Sequence, residues 1–198
     1  MLCHHAADVT NYKSPDFDVH GAVRNNTFQL RAVLDALAEK GCSHVLLTGS
    51  FFEGGEGAGS DGLPPLSPYG LSKELTSRVF HYYTRISGMR LGKFVIPNPF
   101  GPYEEPRFTT YLARCWFEGK AAVVNTPAYV RDNIHVSLLA KAYVRFAQQL
   151  RCGSGFQKMN PSGYVESQGA FAERVAAEMR PRLGLECQVE LKRQVDFS

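Results

Sequence analysis

The chain has 198 residues with 22 basic and 19 acidic side chains, a formal net charge of +3, and 44% hydrophobic residues. This composition is typical of a globular protein with one domain and part of a second, and it excludes a disordered tail or a fibrous repeat. Like charges never form long runs, so nothing favours nucleic-acid binding. No apolar run approaches the roughly 20 residues that a membrane-spanning helix needs.

The five cysteines are widely spaced, without a C-x-x-C pair, and the N-terminus lacks the charged and apolar regions of a secretory signal. An odd number of scattered cysteines without such a signal indicates reduced thiols. We therefore expect a cytoplasmic protein without disulfides and, for lack of any ligand-like spacing, without a bound metal.

Short apolar strands alternate with helices in the first part of the chain. Residues 1–7 resemble the end of a buried strand that runs directly into a loop. Because natural domains rarely begin inside their own core, we expect the chain to be truncated at its N-terminus. One helix is predicted after residues 16–18, and Gly41 ends it. Its apolar residues recur at helical spacing, at Leu30, Val33, Leu34 and Leu37.

The same alternation continues to the C-terminus. A strand at 44–48 precedes a loop rich in glycine and proline, and a helix begins at Ser67-Pro68 with proline in its first turn. That helix is expected to bury its apolar residues, which are Leu71, Leu75, Val79, Tyr82 and Ile86. The other predicted elements are a strand at 93–96, helices at 109–118, 135–150 and 167–179, and a strand at 187–191. This order predicts an α/β fold with a parallel sheet and helical crossovers.

The most specific local pattern is Tyr69-Gly70-Leu71-Ser72-Lys73. Residues four apart on a helix share a face and lie about 6 Å from each other. A nearby ammonium favours the phenolate form of tyrosine and so lowers its pKa. Such a pair can move a proton to or from a hydroxyl near neutral pH. A surface tyrosine beside a solvated lysine is the alternative that this pattern alone leaves open.

Polar residues at the ends of two strands add to this pattern. Thr48-Gly49-Ser50 closes the strand at 44–48, and Asn98 follows the strand at 93–96. Side chains at the carboxyl ends of parallel strands line the ligand crevice of such sheets. Further along stands Tyr129-Val130-Arg131-Asp132-Asn133-Ile134-His135-Val136.

The order of these pieces resembles the extended short-chain dehydrogenases/reductases, in particular the NAD-dependent epimerase/dehydratase family that acts on nucleotide-linked sugars. The resemblance covers nearly the whole chain and rests on several weak motifs in the right order. It implies that Tyr69 and Lys73 are the catalytic pair. It also implies that Ser50 hydrogen-bonds the reacting oxygen, with Thr48 as the second candidate.

The resemblance assigns further residues to ligands. His5-Ala6-Ala7 is similar to the end of a strand that lines the cofactor, so Ala6 and Ala7 are expected to contact NAD or NADP. Asn26 is expected on the cofactor side, and Tyr69 and Lys73 hold the cofactor as well as act in catalysis. For a nucleotide-sugar substrate, Asn98 lies near the diphosphate and Arg131 binds a phosphate.

The family's glycine-rich turn, which holds the cofactor pyrophosphate at a helix N-terminus, has no counterpart in this chain. A literal G-x-G-x-x-G occurs at Gly57, Gly59 and Gly62, but Leu63-Pro64-Pro65 follows it, so no helix can begin on its last glycine. His4-His5 with Asp8 is better explained by packing at a strand end than by a metal. Asp132 is expected to cap the helix at 135–150.

These observations predict an α/β fold, a partial Rossmann-like doubly wound parallel sheet with part of a small substrate-binding domain. Residues 1–103 would form the back half of the cofactor domain, and 104–198 the substrate side with one helix returning to the core. The expected function is an NAD(P)-dependent epimerase or reductase of a nucleotide-linked sugar, with Tyr69, Lys73 and Ser50 in acid–base chemistry. The truncated chain would be inactive if that activity requires the missing glycine-rich unit. A dehydratase is disfavoured because Ser50-Phe51-Phe52 lacks the adjacent acids of that subgroup.

Two alternatives remain open at this stage. One is a non-catalytic fragment or oligomerisation subunit, because the helices with Asn26 and Tyr69 commonly form a dimer interface in this family. The other is a ketoreductase of a non-sugar carbonyl. A homodimer is expected in either case, and an incomplete parallel sheet would expose an apolar edge that favours oligomerisation or poor solubility.

Overall fold

The computed structural model describes residues 1–56, 62–103, 106–153 and 155–195. The chain forms two compact units, one from Met1–Pro97 and Leu139–Pro161 and the other from Asn98–Leu138 and Ser162–Ser198. The first segment of the first unit ends at Pro97, a few residues before the boundary that the sequence predicted after residue 103. In chain order the elements are β1 (Leu2–His4), α1 (Val19–Asn26), α2 (Leu30–Glu39), β2 (His44–Ser50), α3 (Pro68–Ile86), β3 (Arg90–Ile96), β4 (Asn98–Phe100), α4 (Phe108–Phe117), β5 (Ala122–Val124), β6 (Val130–His135), α5 (Val136–Cys152), β7 (Gln157–Met159), β8 (Tyr164–Ser167), α6 (Gln168–Leu183) and β9 (Val189–Leu191).

A four-stranded parallel sheet forms the centre of the first unit, in the order β1-β2-β3-β7. The register pairs Leu47 with Lys93 and Ser50 with Ile96. Because the strands are parallel, their carboxyl ends meet at one edge, which is where ligands bind in open α/β sheets. The predicted α/β fold with a parallel sheet is confirmed.

Helices cover both faces of this sheet. On one face, Leu34 of α2 and Phe80 of α3 pack with Val45 and Leu47 of β2. On the opposite face, Phe94 of β3 contacts two aromatic rings of α5, those of Tyr143 and Phe146. This two-sided burial explains why Val45–Leu47 of β2 and Phe94–Ile96 of β3 read as apolar runs.

The helix predicted from residue 18 to Gly41 is two helices, so the prediction of one helix is wrong. The chain breaks between α1 and α2, where Gln29 adopts a left-handed conformation with φ of 49°. The hydroxyl of Thr27 donates to the carbonyl oxygen of Val23 and completes the end of α1. After this break Leu34 is buried, whereas Val33, expected on the same face, is exposed.

The buried face of α3 differs in part from the predicted one, of which Val79 packs against the core. The predicted apolar residues Leu71, Tyr82 and Ile86 are 39%, 54% and 44% exposed. Except for Phe80, the buried residues are small or polar, namely Gly70, Ser72, Lys73, Thr76 and Thr84. The two threonine hydroxyls donate to carbonyl oxygens of their own helix. Because these small side chains satisfy their hydrogen bonds locally, α3 can approach the sheet closely.

The second unit contains a three-stranded sheet in the order β4-β6-β8 and the pair β5-β9. Helices α4 and α6 pack through Leu112, Trp116 and Ala172. Asp132, predicted to cap a helix, lies instead inside β6, and its Oδ1 accepts from the Gly163 amide at 2.8 Å. No helix in the described part of the chain is long and apolar enough to cross a membrane.

Candidate active site

Tyr69 stands in the first turn of α3. The hydroxyl of Ser67 caps this helix by accepting from the Gly70 amide at 3.1 Å, and Pro68 follows in the first turn. A Cβ at position 70 would collide with the carbonyl oxygen of Phe52. The glycine of the Tyr-Gly-x-x-Lys pattern therefore lets the start of α3 touch the loop that follows β2.

Aromatic rings surround the Tyr69 side chain, which is half-buried. Tyr12, Phe17 and Phe52 meet its ring edge-on, with centroids 5.6, 6.0 and 6.2 Å away. Three such contacts from two loops restrict the ring's rotation and hold the phenol in one direction.

Lys73 lies one helical turn after Tyr69 and is buried. Its Nζ donates to the carbonyl oxygen of Thr48 near the end of β2, at 2.8 Å. Burial lowers the pKa of Lys73, the charge of Glu53 opposes that change, and the charge of Lys93 adds to it. The ammonium is thus held at the carboxyl end of a central strand.

Ser50 and Thr48 end β2 in different environments. The Thr48 hydroxyl is buried and lies 2.8 Å from Nδ1 of His5. Ser50 is half-buried, its Oγ accepts from the Phe52 amide at 3.3 Å, and its own amide donates to Glu53 at 2.7 Å. Because Thr48 is already engaged within the unit, Ser50 is the better candidate for contact with a substrate oxygen.

The loop after β1 carries Ala6 and Ala7, which are exposed and half-buried. Asn26 is buried, its Oδ1 accepts from the Asp8 amide at 3.0 Å, and its Nδ2 donates to Thr76 at 3.3 Å. Asn26 therefore links this loop to α3 through hydrogen bonds to both. Direct contact of these three residues with a cofactor stays a prediction.

The first unit thus brings five predicted residues to one region, namely Ala7, Asn26, Ser50, Tyr69 and Lys73. Each is attached to the carboxyl end of β1 or β2, or to the helix packed over them. A phenol and an ammonium one turn apart, next to a strand-end hydroxyl, can transfer a proton to or from a bound alcohol or ketone.

The second unit holds both predicted substrate residues. Asn98 pairs with Asn133 in the β4–β6 ladder, and its Nδ2 donates to Oδ1 of Asn133 at 2.6 Å. The guanidinium of Arg131 stands over the ring of Tyr129, 4.6 Å from its centroid. Stacking of this kind leaves the edge of the guanidinium available for an anion.

A buried charged cluster in the first unit was not found from the sequence. It contains Glu53, Glu56 and Lys93, with Lys158 at its border. A signal was present, because lysine almost never occupies a fully buried position and Lys93 interrupts an otherwise apolar strand. Its partner could not be identified without the tertiary structure.

Neither a metal nor a glycine-rich phosphate site is found in the described parts of the chain. No three His, Cys, Asp or Glu residues there could hold a metal ion. Gly57 and Gly59 lie outside the described residues, and Gly62 belongs to a turn with φ of +78°. No strand within the described ranges passes through a glycine-rich turn directly into a helix.

Residues 2–160 match the model of the NAD dependent epimerase/dehydratase family. The comparison with curated protein sequences gave no match.

Solved structures of nucleotide-sugar enzymes are similar to this chain. UDP-N-acetylglucosamine 4-epimerase from Bacillus cereus is 16% identical with a TM-score of 0.72, over 96% of this chain and 65% of its own. UDP-glucose 4-epimerase from Brucella ovis, in complex with NAD, is 21% identical with a TM-score of 0.67, over 98% and 66%. MoeE5, with UDP-glucose and NAD, is 21% identical with a TM-score of 0.63, over 87% and 57%. The chain spans between 57 and 66% of these proteins, and at such identity the likeness establishes the fold.

The burial of His4 near Lys73 should make stability depend on the protonation of His4. Burial lowers the pKa of His4, and Lys73 and His5 lower it further. A base whose folded pKa lies below its unfolded value destabilises the fold as pH falls through the unfolded value, about 6.5. We therefore expect Tm to fall between about pH 7.5 and about pH 5.5, and His4→Leu to reduce that fall. Calorimetry measures both, with His20→Gln, an exposed histidine of α1, as the control. An equal fall in wild type and His4→Leu would contradict this.

Proposed function

Because the chain belongs to the NAD dependent epimerase/dehydratase family, we propose that it acts as an NAD-dependent epimerase of a nucleotide-linked sugar. The observation that carries the proposal is the position of Tyr69 and Lys73. They lie one turn apart on α3, with the Lys73 ammonium 2.8 Å from the Thr48 carbonyl oxygen and Ser50 two residues further along the same strand. This arrangement suits proton transfer at a hydroxyl, which is what sugar epimerisation through a ketone requires.

The residues of the first unit fit the nicotinamide side of the cofactor. A buried ammonium next to a phenol suits the hydroxyls of a nicotinamide ribose, and the small side chains of Ala6 and Ala7 allow close approach to the loop after β1. We expect Lys73 and Tyr69 to hold the ribose while Asn26 holds that loop in place. When bound, NAD would supply the hydride acceptor and donor.

The side chains of this chain supply the acid–base part of the reaction. The Tyr69 oxygen takes the proton of the sugar hydroxyl when that carbon is oxidised and returns it when the carbon is reduced. The Lys73 ammonium favours the phenolate that takes the proton. The Ser50 hydroxyl orients the reacting oxygen. The aromatic rings around Tyr69 exclude water from its flank and strengthen the local electrostatics.

The residues of the loop after β2 favour an epimerase over a dehydratase. A dehydratase needs an acid near the reacting oxygen that can give up a proton. Glu53 is the acid nearest to Ser50 in the sequence, but it is buried and pairs with Lys93 at 2.5 Å. A carboxylate held in this way is not available as a proton donor, and this supports the expectation drawn from Ser50-Phe51-Phe52.

The second unit supplies the substrate side in this proposal. Arg131 carries a fixed positive charge on a stacked guanidinium, which is suited to a diphosphate. Asn98 is anchored by its bond to Asn133 and would present its carboxamide oxygen to a polar ligand. The MoeE5 structure contains UDP-glucose and the Bacillus cereus enzyme acts on UDP-N-acetylglucosamine. We take UDP-hexoses as the first substrates to test.

Cofactor binding and turnover test the role of the tyrosine–lysine pair. We expect the purified chain to bind NADH saturably in a fluorescence titration. Lys73→Met should weaken binding at least about tenfold, which is about 1.4 kcal/mol. Tyr69→Phe should retain binding but lose about a hundredfold or more in epimerisation of a UDP-hexose, because the proton acceptor is gone. Tyr82→Phe, at an exposed position of the same helix, is the control. Absence of NADH binding up to millimolar concentrations would contradict the cofactor part, and wild-type turnover by Tyr69→Phe would contradict the catalytic part.

Substrate affinity tests the role of Arg131 separately. Arg131→Ala should weaken UDP-glucose binding by about tenfold or more in calorimetry, because a charge-assisted contact to phosphate is lost. Arg131→Lys should recover only part of the affinity, since it retains the charge without the planar stacking. Arg114→Ala removes the same charge from an exposed position of α4 and serves as the control. Unchanged affinity in Arg131→Ala would favour a reductase of a non-sugar carbonyl.

We also propose that the chain forms a homodimer through α3. Leu71, Tyr82 and Ile86 form an exposed apolar stripe on this helix, contrary to the burial expected from sequence. Light scattering should give about twice the chain mass, and Tyr82→Glu with Ile86→Glu should reduce it to one chain. Phe117→Glu, an exposed aromatic of α4, should leave the mass unchanged. A monomer at high concentration for the wild-type chain would exclude this dimer.

A further inference from the structure

The turn that follows β2 is closed by a buried carboxylate. Glu53 is only 2% exposed, and its Oε1 accepts from the Ser50 amide at 2.7 Å. In the opposite direction the Glu53 amide donates to the Ser50 carbonyl oxygen at 3.1 Å. Two reciprocal hydrogen bonds therefore hold the backbone of Ser50, the candidate orienting residue.

The counter-ion of Glu53 comes from the neighbouring strand. Lys93 of β3 is 6% exposed, and its Nζ lies 2.5 Å from Oε2 of Glu53 and 2.6 Å from Oε1 of Glu56. Lys158 and Asn160 bind the second oxygen of Glu56, at 3.0 and 3.2 Å. Burial disfavours the charge of Lys93, but these carboxylates outweigh it and raise its pKa. Removing one partner of such a pair leaves an uncompensated buried charge.

Gly49 allows this pair to lie against β2. A Cβ at that position would stand 2.8 Å from Cε of Lys93 and 2.9 Å from Oε1 of Glu53. Contacts this short do not occur between real side chains, so any other residue would push the pair away from the strand. The flanking residues are Thr48, whose carbonyl accepts from Lys73, and Ser50. Lys73 and the charged pair therefore contact consecutive residues of β2, with Lys73 bound to Thr48 and Glu53 bound to Ser50.

Several charges act on Lys73 from the elements around it. Glu53 favours its ammonium form and Lys93 disfavours it. The charge of Lys73 also acts on His4 of β1, and Glu56 pairs with Lys93 at 2.6 Å. Together Glu53 and Lys93 add no net charge near Lys73, so the ammonium is opposed mainly by its own burial.

We infer that Glu53 is a positioning residue of the candidate site, which fixes Ser50 through its carboxylate and, paired with Lys93, balances the charge beside Lys73. Its importance for turnover rests on the proposed function, but its effects on Ser50 and Lys73 do not. Glu53 does not touch the reacting atoms. Its role is to keep the hydroxyl donor and the ammonium in the states that the tyrosine chemistry requires.

The first test follows the titration of the Lys73 ammonium by NMR in the chain without ligands, with Lys73→Arg to assign its signal. Glu53→Gln should lower the proton affinity of Lys73 about tenfold, because an attracting charge is lost while Lys93 still repels. Lys93→Met should raise it, because the repelling charge is lost. The double variant Glu53→Gln/Lys93→Met should return close to wild type. Glu39→Gln, at an exposed position of α2, is the matched control.

The double variant also guards against loss of folding. It removes both charges of the Glu53–Lys93 pair, and Glu56 keeps Lys158 as its partner, so it should fold where a single variant does not. In that background, amide exchange at Ser50 should be as slow as in wild type, since glutamine keeps an acceptor oxygen. Glu53→Ala/Lys93→Met should exchange at least about tenfold faster, because the acceptor is removed.

The outcomes separate this inference from the proposed function. The inference would be overturned if Lys73 titrates equally in wild type and in every single variant that folds. It would also be overturned if the Ser50 amide exchanges equally fast in the two double variants. Either result would count even if the chain binds NADH. The expected titration and exchange would support it even if NADH does not bind. Where turnover is measurable, Glu53→Gln should move the alkaline limb of the pH–rate profile to lower pH. A merely structural defect would lower the rate equally at every pH.

Discussion

The hydrogen bond from the Lys73 ammonium to the Thr48 carbonyl oxygen is the interaction on which the rest of the candidate site depends. It joins the first turns of α3 to the carboxyl end of β2, which are separated in the sequence by a long loop. A buried lysine without such an acceptor would lose its charge. The contact therefore fixes the position of Lys73 at the end of β2 and gives its ammonium an acceptor there.

Close approach of α3 to the sheet is the second requirement. It depends on residues that contribute little apolar surface, namely Gly70, Ser72, Thr76 and Thr84. Their hydrogen bonds are closed within the helix, so the helix can bury them without leaving polar groups unsatisfied. Phe80 of the same helix is buried in the core, whereas Leu71, Tyr82 and Ile86 are left exposed and form the surface proposed for a second copy of the chain.

The charged cluster of Glu53, Glu56 and Lys93 links the folding of the first unit to the proposed role of Ser50. Burying Glu53 with Lys93 contributes little net stability, because desolvation offsets most of the attraction. Such a pair can nevertheless specify a conformation, and here it holds the Ser50 end of the strand.

The sequence by itself determined the local features of this protein. The cap at Ser67-Pro68 and the spacing of Tyr69 and Lys73 depend on neighbouring residues only, and the alternation of strands and helices predicted the parallel sheet. The side of α3 that is buried, the break at Gln29 and the position of Asp132 in a strand depended on the tertiary structure. Periodicity shows that a helix has two faces, but the contacts of the sheet decide which face is buried. The pairing of Glu53 with Lys93 was decided in the same way, because two residues distant in the sequence become partners only when β2 and β3 lie side by side.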